Sequence, residues 1–337
     1  MFCVLFLALS SDRKPMPDFD LDWSHASVCT VGNIQVQHIL DLYNPNNQGL
    51  IYFSGWKHIY TLSLEMSRSA LEIKIQKALE HREQSARRRR LPDPSNSPSS
   101  AGCALIDFNS SDYLSLSTSR ALRNHFLQKL SEAPDVLGSG GSRLLVNGRA
   151  HADLEARLAA FFGSEAALLF NSGFDANVGF FSSVPQYGDV IVYDEYIHAS
   201  VHDGMRASRA LAEERVSFEH NSLEDMRRVF LRSLGMKGAL AAGECSIFVA
   251  VESLYSMDGT FAPLREIVDL LDELFPLRNA YLVVDEAHST GIYGPQGKGR
   301  VALLGLEDRV FARLHTFGKA LAATGGLYVT FWKMSRH

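Results

Sequence analysis

The residues with the clearest chemical promise lie between Tyr281 and Lys319. An apolar run, Tyr281-Leu282-Val283-Val284, closes on Asp285 and continues Glu286-Ala287-His288. Farther along, Leu314-His315-Thr316-Phe317-Gly318 leads into Lys319. A short, partly β-branched run closing on an acid predicts a buried parallel strand with the carboxylate at its C-terminal end. In open α/β sheets that edge is where ligands bind. The segment from Val310 to Thr316 predicts a second short element that delivers a lysine through a small turn. One acid and one lysine at one sheet edge suit a cofactor that needs both.

Pyridoxal phosphate is such a cofactor. A lysine condenses with its aldehyde, and a carboxylate keeps its pyridine nitrogen protonated, so that the ring withdraws electrons. On that chemistry Asp285 pairs with the ring nitrogen, His288 reaches the ring hydroxyl, Thr316 bonds the phosphate and Lys319 carries the covalent link. A rival is the Walker-B string of DEAH-type ATPases, which Asp285-Glu286-Ala287-His288 also spells. That chemistry needs a GxxxxGK[ST] phosphate loop upstream. Gly297-Lys298 comes after the acid and is followed by Gly299, so the ATPase is the weakest reading.

Other segments place further candidates. Ala166 to Phe170 predicts a strand, followed by Asn171-Ser172-Gly173-Phe174 and a helix start, a layout that offers backbone N–H groups to a phosphate. Val190 to Tyr193 and Ser246 to Val251 predict two more strands, and Ile267 to Leu274 an amphipathic helix. Strand and helix alternate from 166 to 330, which predicts an α/β fold with a mostly parallel sheet and helices on both faces. His198 and His202 have the i,i+4 spacing of metal ligands, but no HExxH glutamate lies between them and no third ligand is evident. No metal site is expected.

The string around Asp285 and Lys319 resembles the α-oxoamine synthases, and more motifs of that family occur in order. Asp107-Phe108-Asn109-Ser110-Ser111-Asp112-Tyr113-Leu114 resembles the opening motif, with Ser111 where the family usually has asparagine. Gly138-Ser139-Gly140-Gly141-Ser142-Arg143 precedes Asn147-Gly148, His151 and Glu155, the last two one helical turn apart and read as structural. Glu252-Ser253-Leu254-Tyr255-Ser256-Met257-Asp258-Gly259 resembles the family's E-x-x-x-S-M-D-G string. Gly294, Gly297, Gly299 and Arg300 fit its loop.

The resemblance implies the large domain of a fold-type I pyridoxal-phosphate transferase. It implies that Gly173 and Phe174 cradle the phosphate, that His198 stacks on the pyridine ring, that Ser256 contacts the cofactor, and that Lys319 moves protons. It implies condensation of an amino acid with an acyl-CoA or acyl-carrier thioester, with decarboxylation. An 8-amino-7-oxononanoate synthase-like reaction of biotin synthesis is the first expectation, and a polyketide- or sphingoid-type acyl chain the second. The family pairs as dimers, so a homodimer or heterodimer is expected. Members continue into a smaller C-terminal domain that supplies an arginine for the substrate carboxylate. Only a short tail follows Lys319 here, so that domain is expected to be absent or truncated, and a non-catalytic partner subunit is a further alternative.

Length and composition set the outer bounds. The 337 residues divide by character into an extension of unassigned role (1–65), an N-terminal helix and loop (66–105) and a cofactor-binding large domain (106–337). The helix is expected over 66–91, with Arg87-Arg88-Arg89-Arg90 as a solvated end near the negative pole of its dipole. A net charge of −5 gives no general pull toward nucleic acid. Cys3, Cys29, Cys103 and Cys245 form no CxxC pair, which fits a reducing compartment. Phe2 to Leu9 is apolar but has no basic segment before it, and no stretch is long enough to span a membrane. The ending Met334-Ser335-Arg336-His337 is not a peroxisomal address, so the expected location is cytoplasmic.

Overall fold

A computed structural model describes residues 69–91, 107–134 and 140–330. The expectations for the 1–65 extension, the loop at 92–102, Gly138-Ser139 and three of the cysteines fall outside those residues. Contacts divide the chain into two units, residues 1–94 and 95–337.

In the first unit, helix α1 spans Ala70–Gln84. Ser69 starts it with a reciprocal capping box: its hydroxyl accepts from the Glu72 N–H, and the Glu72 carboxylate accepts from the Ser69 N–H. The Ser85 hydroxyl donates to the carbonyls of His81 and Arg82, and Ala86 turns left-handed at φ 54°. The four arginines therefore follow the helix instead of forming its last turn. Arg88 and Arg90 both fold back onto Glu83.

The second unit is built on one seven-stranded sheet, ordered β1-β7-β6-β5-β4-β2-β3. The strands are β1 Ala166–Phe170, β2 Val190–Asp194, β3 Arg215–Phe218, β4 Ile247–Glu252, β5 Ala280–Asp285, β6 Ala312–Thr316 and β7 Gly326–Thr330. Strands β3, β2, β4, β5 and β6 run parallel, while β7 is antiparallel to both its neighbours, β6 and β1. The helices are α2 Arg120–Glu132, α3 Arg149–Phe162, α4 Gly173–Ser183, α5 Ala199–Arg206, α6 Leu223–Met236, α7 Gly238–Ala241, α8 Leu264–Leu274 and α9 Arg300–Leu304.

Strand β4 is buried along its whole length and β2 at all but Tyr193, and their side chains alternate between two cores. Val190, Val192, Val249, Leu282 and Val284 pack with Phe230 of α6 and Ile267 and Leu271 of α8. Ile191, Phe248, Ala250 and Val283 pack on the other face with Phe180 and Phe181 of α4 and Val201 and Met205 of α5. The sheet is thus covered on both sides, as the alternation of strand and helix predicts.

This arrangement brings three chain reversals to one edge. The C-terminal ends of β4 and β5 stand in register, with Glu252 opposite Asp285 and Asp285 opposite Leu314 of β6. Strand β7 lies between β1 and β6, so the β1–α4 turn comes alongside the β6 end. The approach is close: a Cβ on Gly326 would stand 2.6 Å from the Gly173 nitrogen, and one on Gly173 would stand 2.2 Å from Thr316 Cγ2. Only glycine permits either contact.

Candidate active site

At that edge lies a cavity of about 280 Å³. Gly173, Phe174 and Asn177 of α4 line it, with His198, Ser200, Glu252, Asp285, Thr316 and Lys319. Five strand ends and two helix starts therefore converge on one small volume.

Asp285 is the best-anchored group there. Its carboxylate is only 7% exposed. Oδ2 accepts from Asn177 Nδ2 at 2.9 Å, and Oδ1 accepts from the Ala287 N–H at 2.9 Å. Asn177 is fixed in turn, because its Nδ2 also donates to Ser200 Oγ and its Oδ1 accepts from the Tyr328 hydroxyl at 2.6 Å. The amide is thus fully engaged and can only present donors to Asp285. Each donor stabilises the carboxylate as an anion.

Glu252, the register partner of Asp285, is buried beside it. Loss of solvent, then repulsion from Asp285, pushes its pKa up to about 8, although Lys319 and the His198 N–H oppose the shift. Two adjacent buried carboxyls cannot both ionise cheaply. Asp285 has the donors, and Glu252, with its raised pKa, carries the proton.

Lys319 follows β6 through Phe317 and Gly318. Burial lowers its pKa, against the pull of Asp285 and Glu252. Its Nζ lies 2.7 Å from Nε2 of His288. Burial and the nearby lysine push His288 down to about 4, so its ring is neutral at ordinary pH. Nδ1 of the same ring lies 3.3 Å from the Tyr113 hydroxyl.

Helix α4 faces the cavity with its first turn. Ser172 caps it by accepting from the Asp175 N–H. The N–H groups of Gly173 and Phe174 have no intrahelical acceptor, as at any helix start, and their position favours an anion. His198 caps α5 with its ring: Nδ1 accepts from the Ser200 N–H and pairs with Ser200 Oγ at 2.7 Å. Thr316 lines the cavity, but its hydroxyl donates to the Ala287 carbonyl at 3.3 Å.

Of the sequence-predicted residues, Gly173, Phe174, His198, Asp285, Thr316 and Lys319 share the cavity wall. His288 joins them through Lys319. Ser256 does not: it is exposed on the turn between Tyr255 and Gly259 and lies outside the cavity lining. His202 packs edge-on against Tyr193. Among the described residues no group of three or more His, Cys, Asp or Glu side chains is placed to hold a metal. Sequence reasoning gave no role to Asn177, Ser200 or Tyr328. Asn177 sits one helical turn after Gly173, a spacing that marks the same helix face and was the available signal.

The neighbouring acid, Glu286, has a structural task. It is fully buried, and its Oε1 accepts from the Val301 N–H at 2.9 Å. A Cβ on Gly299 would stand 1.4 Å from Oε2, so glycine at φ 102° makes room for the carboxyl. Glu286 thereby ties the glycine-rich loop at 291–300 to the end of β5. Burial raises its pKa from 4.5 to about 7, although the Val301 N–H and Arg313 oppose the shift. The folded chain keeps a proton here that the unfolded chain releases above about pH 4.5, so this group's contribution falls as pH rises and levels off above about pH 7. Urea unfolding at pH 5 and pH 8 should show Glu286→Gln losing about 2.5 kcal/mol less than the parent over that interval. Parallel losses in both proteins would mean that Glu286 is ionised in the fold.

Comparisons with known proteins agree with this geometry. The aminotransferase class I and II family model matches residues 104–330. The 8-amino-7-oxononanoate synthase of Emericella nidulans is 50% identical over 264 residues, which are 77% of this chain and 62% of that protein. The aminoacyl transferase sphA of Byssochlamys spectabilis is 46% identical over 224 residues, 66% of this chain and 47% of that one. A structure described as SPT with PLP superposes with a TM-score of 0.61 at 26% identity, covering 79% of this chain and 65% of that one. The chain thus spans less than two thirds of the curated relatives it matches. Among the described residues no helix is long and apolar enough to cross a membrane. With a lysine and an anchored aspartate at one sheet edge, a glycine-opened helix start beside them and a family match over the whole sheet, the chain belongs to the aminotransferase class I and II family.

Proposed function

We propose that this chain binds pyridoxal phosphate in the Asp285–Lys319 cavity and serves an α-oxoamine synthase reaction, the condensation of an amino acid with an acyl thioester. The observation that carries the reading is the pairing of an anchored carboxylate with a desolvated lysine in one cavity. The fit to the cofactor rests on this chain's own atoms. The space a Cβ would fill at Gly173 leaves bare backbone beside Thr316, suited to a phosphate. Asp285 keeps acceptor capacity for a ring N–H after its two contacts are made. Bound there, the cofactor would supply an aldehyde for Lys319 and a protonated ring that draws electrons from the substrate's α-carbon.

The chain's residues divide the remaining tasks. Asp285 would hold a protonated ring nitrogen, and Asn177 and Ala287 hold Asp285. Gly173 and Phe174 offer N–H groups to the phosphate. His198, in the cavity wall, would offer its face to the ring. Lys319 would take up or return a proton at the substrate α-carbon, which requires its neutral amine. Burial lowers its pKa in that direction.

An 8-amino-7-oxononanoate synthase-like reaction in the cytoplasm is the first assignment, supported by the 50% identity to that relative. A sphingoid-type acyl chain is the second, supported by the 46% identity to an aminoacyl transferase. The decisive experiment has two stages. The purified chain is titrated with pyridoxal phosphate and followed by absorbance, then offered a panel of amino acids and acyl-CoAs with mass-spectrometric product detection. A visible band that responds to amino acids is the expected first result. Its absence from folded protein refutes the reading. The preferred pair decides between a short dicarboxylic and a long alkyl thioester.

A further inference from the structure

Tyr113 stands outside the cavity lining, yet its hydroxyl is the end of a chain that reaches Lys319. Its Oη lies 3.3 Å from His288 Nδ1, and His288 Nε2 lies 2.7 Å from Lys319 Nζ. The contact joins residues 175 apart in sequence, so it is a product of the fold. Tyr113 is held in place locally: the Asp112 carboxylate accepts from the N–H groups of Leu116 and Ser117 and closes the turn that carries it. The tyrosine is 53% exposed, so its hydroxyl meets both water and the histidine.

The imidazole between them carries a single proton, because it is neutral. A neutral imidazole donates from one nitrogen and accepts at the other. When the Tyr113 hydroxyl donates to Nδ1, the ring proton must sit on Nε2. Nε2–H then points at Lys319 Nζ, and only an uncharged amine has the lone pair to accept it. The opposite arrangement, with Nδ1–H facing outward, leaves Nε2 as an acceptor and favours the ammonium. The acids facing Lys319 from the other elements are Asp285 at the end of β5 and Glu252 at the end of β4; Asp285 pulls toward the ammonium, and Glu252 does so once it ionises. His288 itself faces Lys319, Asp285 and His198. Burial opposes that pull, and a hydrogen bond that only the neutral amine can accept adds to the opposition, favouring the lysine as nucleophile and base.

We propose that Tyr113 is a positioning residue that, by donating to His288 Nδ1, fixes the histidine tautomer and holds Lys319 as a neutral amine. This assignment rests on the proposed role of Lys319, but its test does not need the cofactor. The full-length chain, freed of cofactor, is labelled with a small acylating reagent across a range of pH, and modification of Lys319 is followed by mass spectrometry. The reagent reacts only with the neutral amine, so the rate profile reports the protonation of Lys319.

In Tyr113→Phe the profile should move to higher pH. Labelling of Lys319 near neutrality should slow about threefold to tenfold, the worth of one hydrogen bond. Labelling of an exposed lysine such as Lys129 should not change. The half-exposed position makes Tyr113→Phe compatible with folding, which circular dichroism checks. In His288→Gln the same slowing is expected, and adding Tyr113→Phe to it should cause no further change. An unchanged profile in Tyr113→Phe overturns the assignment, as does a full further loss in the double variant. The rate of pyridoxal phosphate capture is read separately. If the labelling behaves as stated while no capture occurs in any variant, the cofactor reading fails and the role of Tyr113 stands.

Discussion

Lys319→Ala should abolish covalent capture of pyridoxal phosphate. Borohydride treatment of the loaded parent chain is expected to fix the cofactor on the peptide containing Lys319, and the variant should yield no adduct there. The reason is positional. Lys319 is the lysine in the cavity lining, its amine is desolvated, and it shares that cavity with the Asp285 carboxylate. Amino-acid α-proton exchange, followed by NMR in deuterated water, should fall on the order of 10³-fold or more, because both the covalent step and the proton carrier are lost. Non-covalent cofactor binding should survive, weakened, through the helix start and Asp285. An adduct that persists on Lys298 in the variant would show that the assignment of Lys319 is wrong.

The second large effect concerns Asp285→Asn. An amide removes the negative charge that holds the ring nitrogen protonated, so α-proton exchange should drop about 10²–10³-fold, the scale for losing one preorganised electrostatic partner. The substitution also carries a structural cost. Asn177 Nδ2 and the Ala287 N–H both point at the two oxygens of Asp285. An asparagine offers only one oxygen, and Asn177 cannot flip, since its oxygen accepts from Tyr328 and its nitrogen donates to Ser200. One buried donor is therefore left facing another, which costs about 1–3 kcal/mol of stability. Repulsion from Asp285 is also the second cause of the raised Glu252 pKa. Removing it should let Glu252 ionise at lower pH and restore part of the lost charge at high pH. The exchange rate of Asp285→Asn should therefore recover as pH rises through the range below 8, and Glu252→Gln added to it should remove the recovery. A flat profile in the single variant would show that Glu252 does not carry the missing charge.

The sequence made one part of this site visible and hid another. Asp285 was legible because it ends a short apolar strand, which follows from hydrophobic patterning, and Lys319 because a small Thr-Phe-Gly turn delivers it just after the next strand. Gly173 was legible because a strand, small residues and a helix start make a recognisable local unit. The supports were not legible. Asn177 reaches Asp285 across 108 residues, and Tyr328 reaches Asn177 across 151, so their partners exist only once β7 has inserted between β1 and β6. Glu252 stood in a quoted motif, yet its protonation depends on being the register partner of Asp285, which is a property of strand pairing. Ser256 shows the converse. A motif match supplied its identity, but the turn at Tyr255–Gly259 directs it outward. The arginine run shows how one capping residue overrides composition, since Ser85 ends α1 before the run begins.

The insertion of β7 also sets an order of events during synthesis. Among the described residues strand β1 pairs with β7 and with no other strand. Everything between them, including all five parallel strands, leaves the ribosome first. At about 5–20 residues per second, β1 waits many seconds for its neighbour. During that interval the β1–α4 turn, with its phosphate-suited backbone, has no fixed relation to the lysine. The parallel strands can pair early and form a stable nucleus, while the ligand cavity closes only with the last strand. A cofactor that bridges the α4 start and Lys319 would therefore act as a late clasp, drawing together the first and last strands of the sheet.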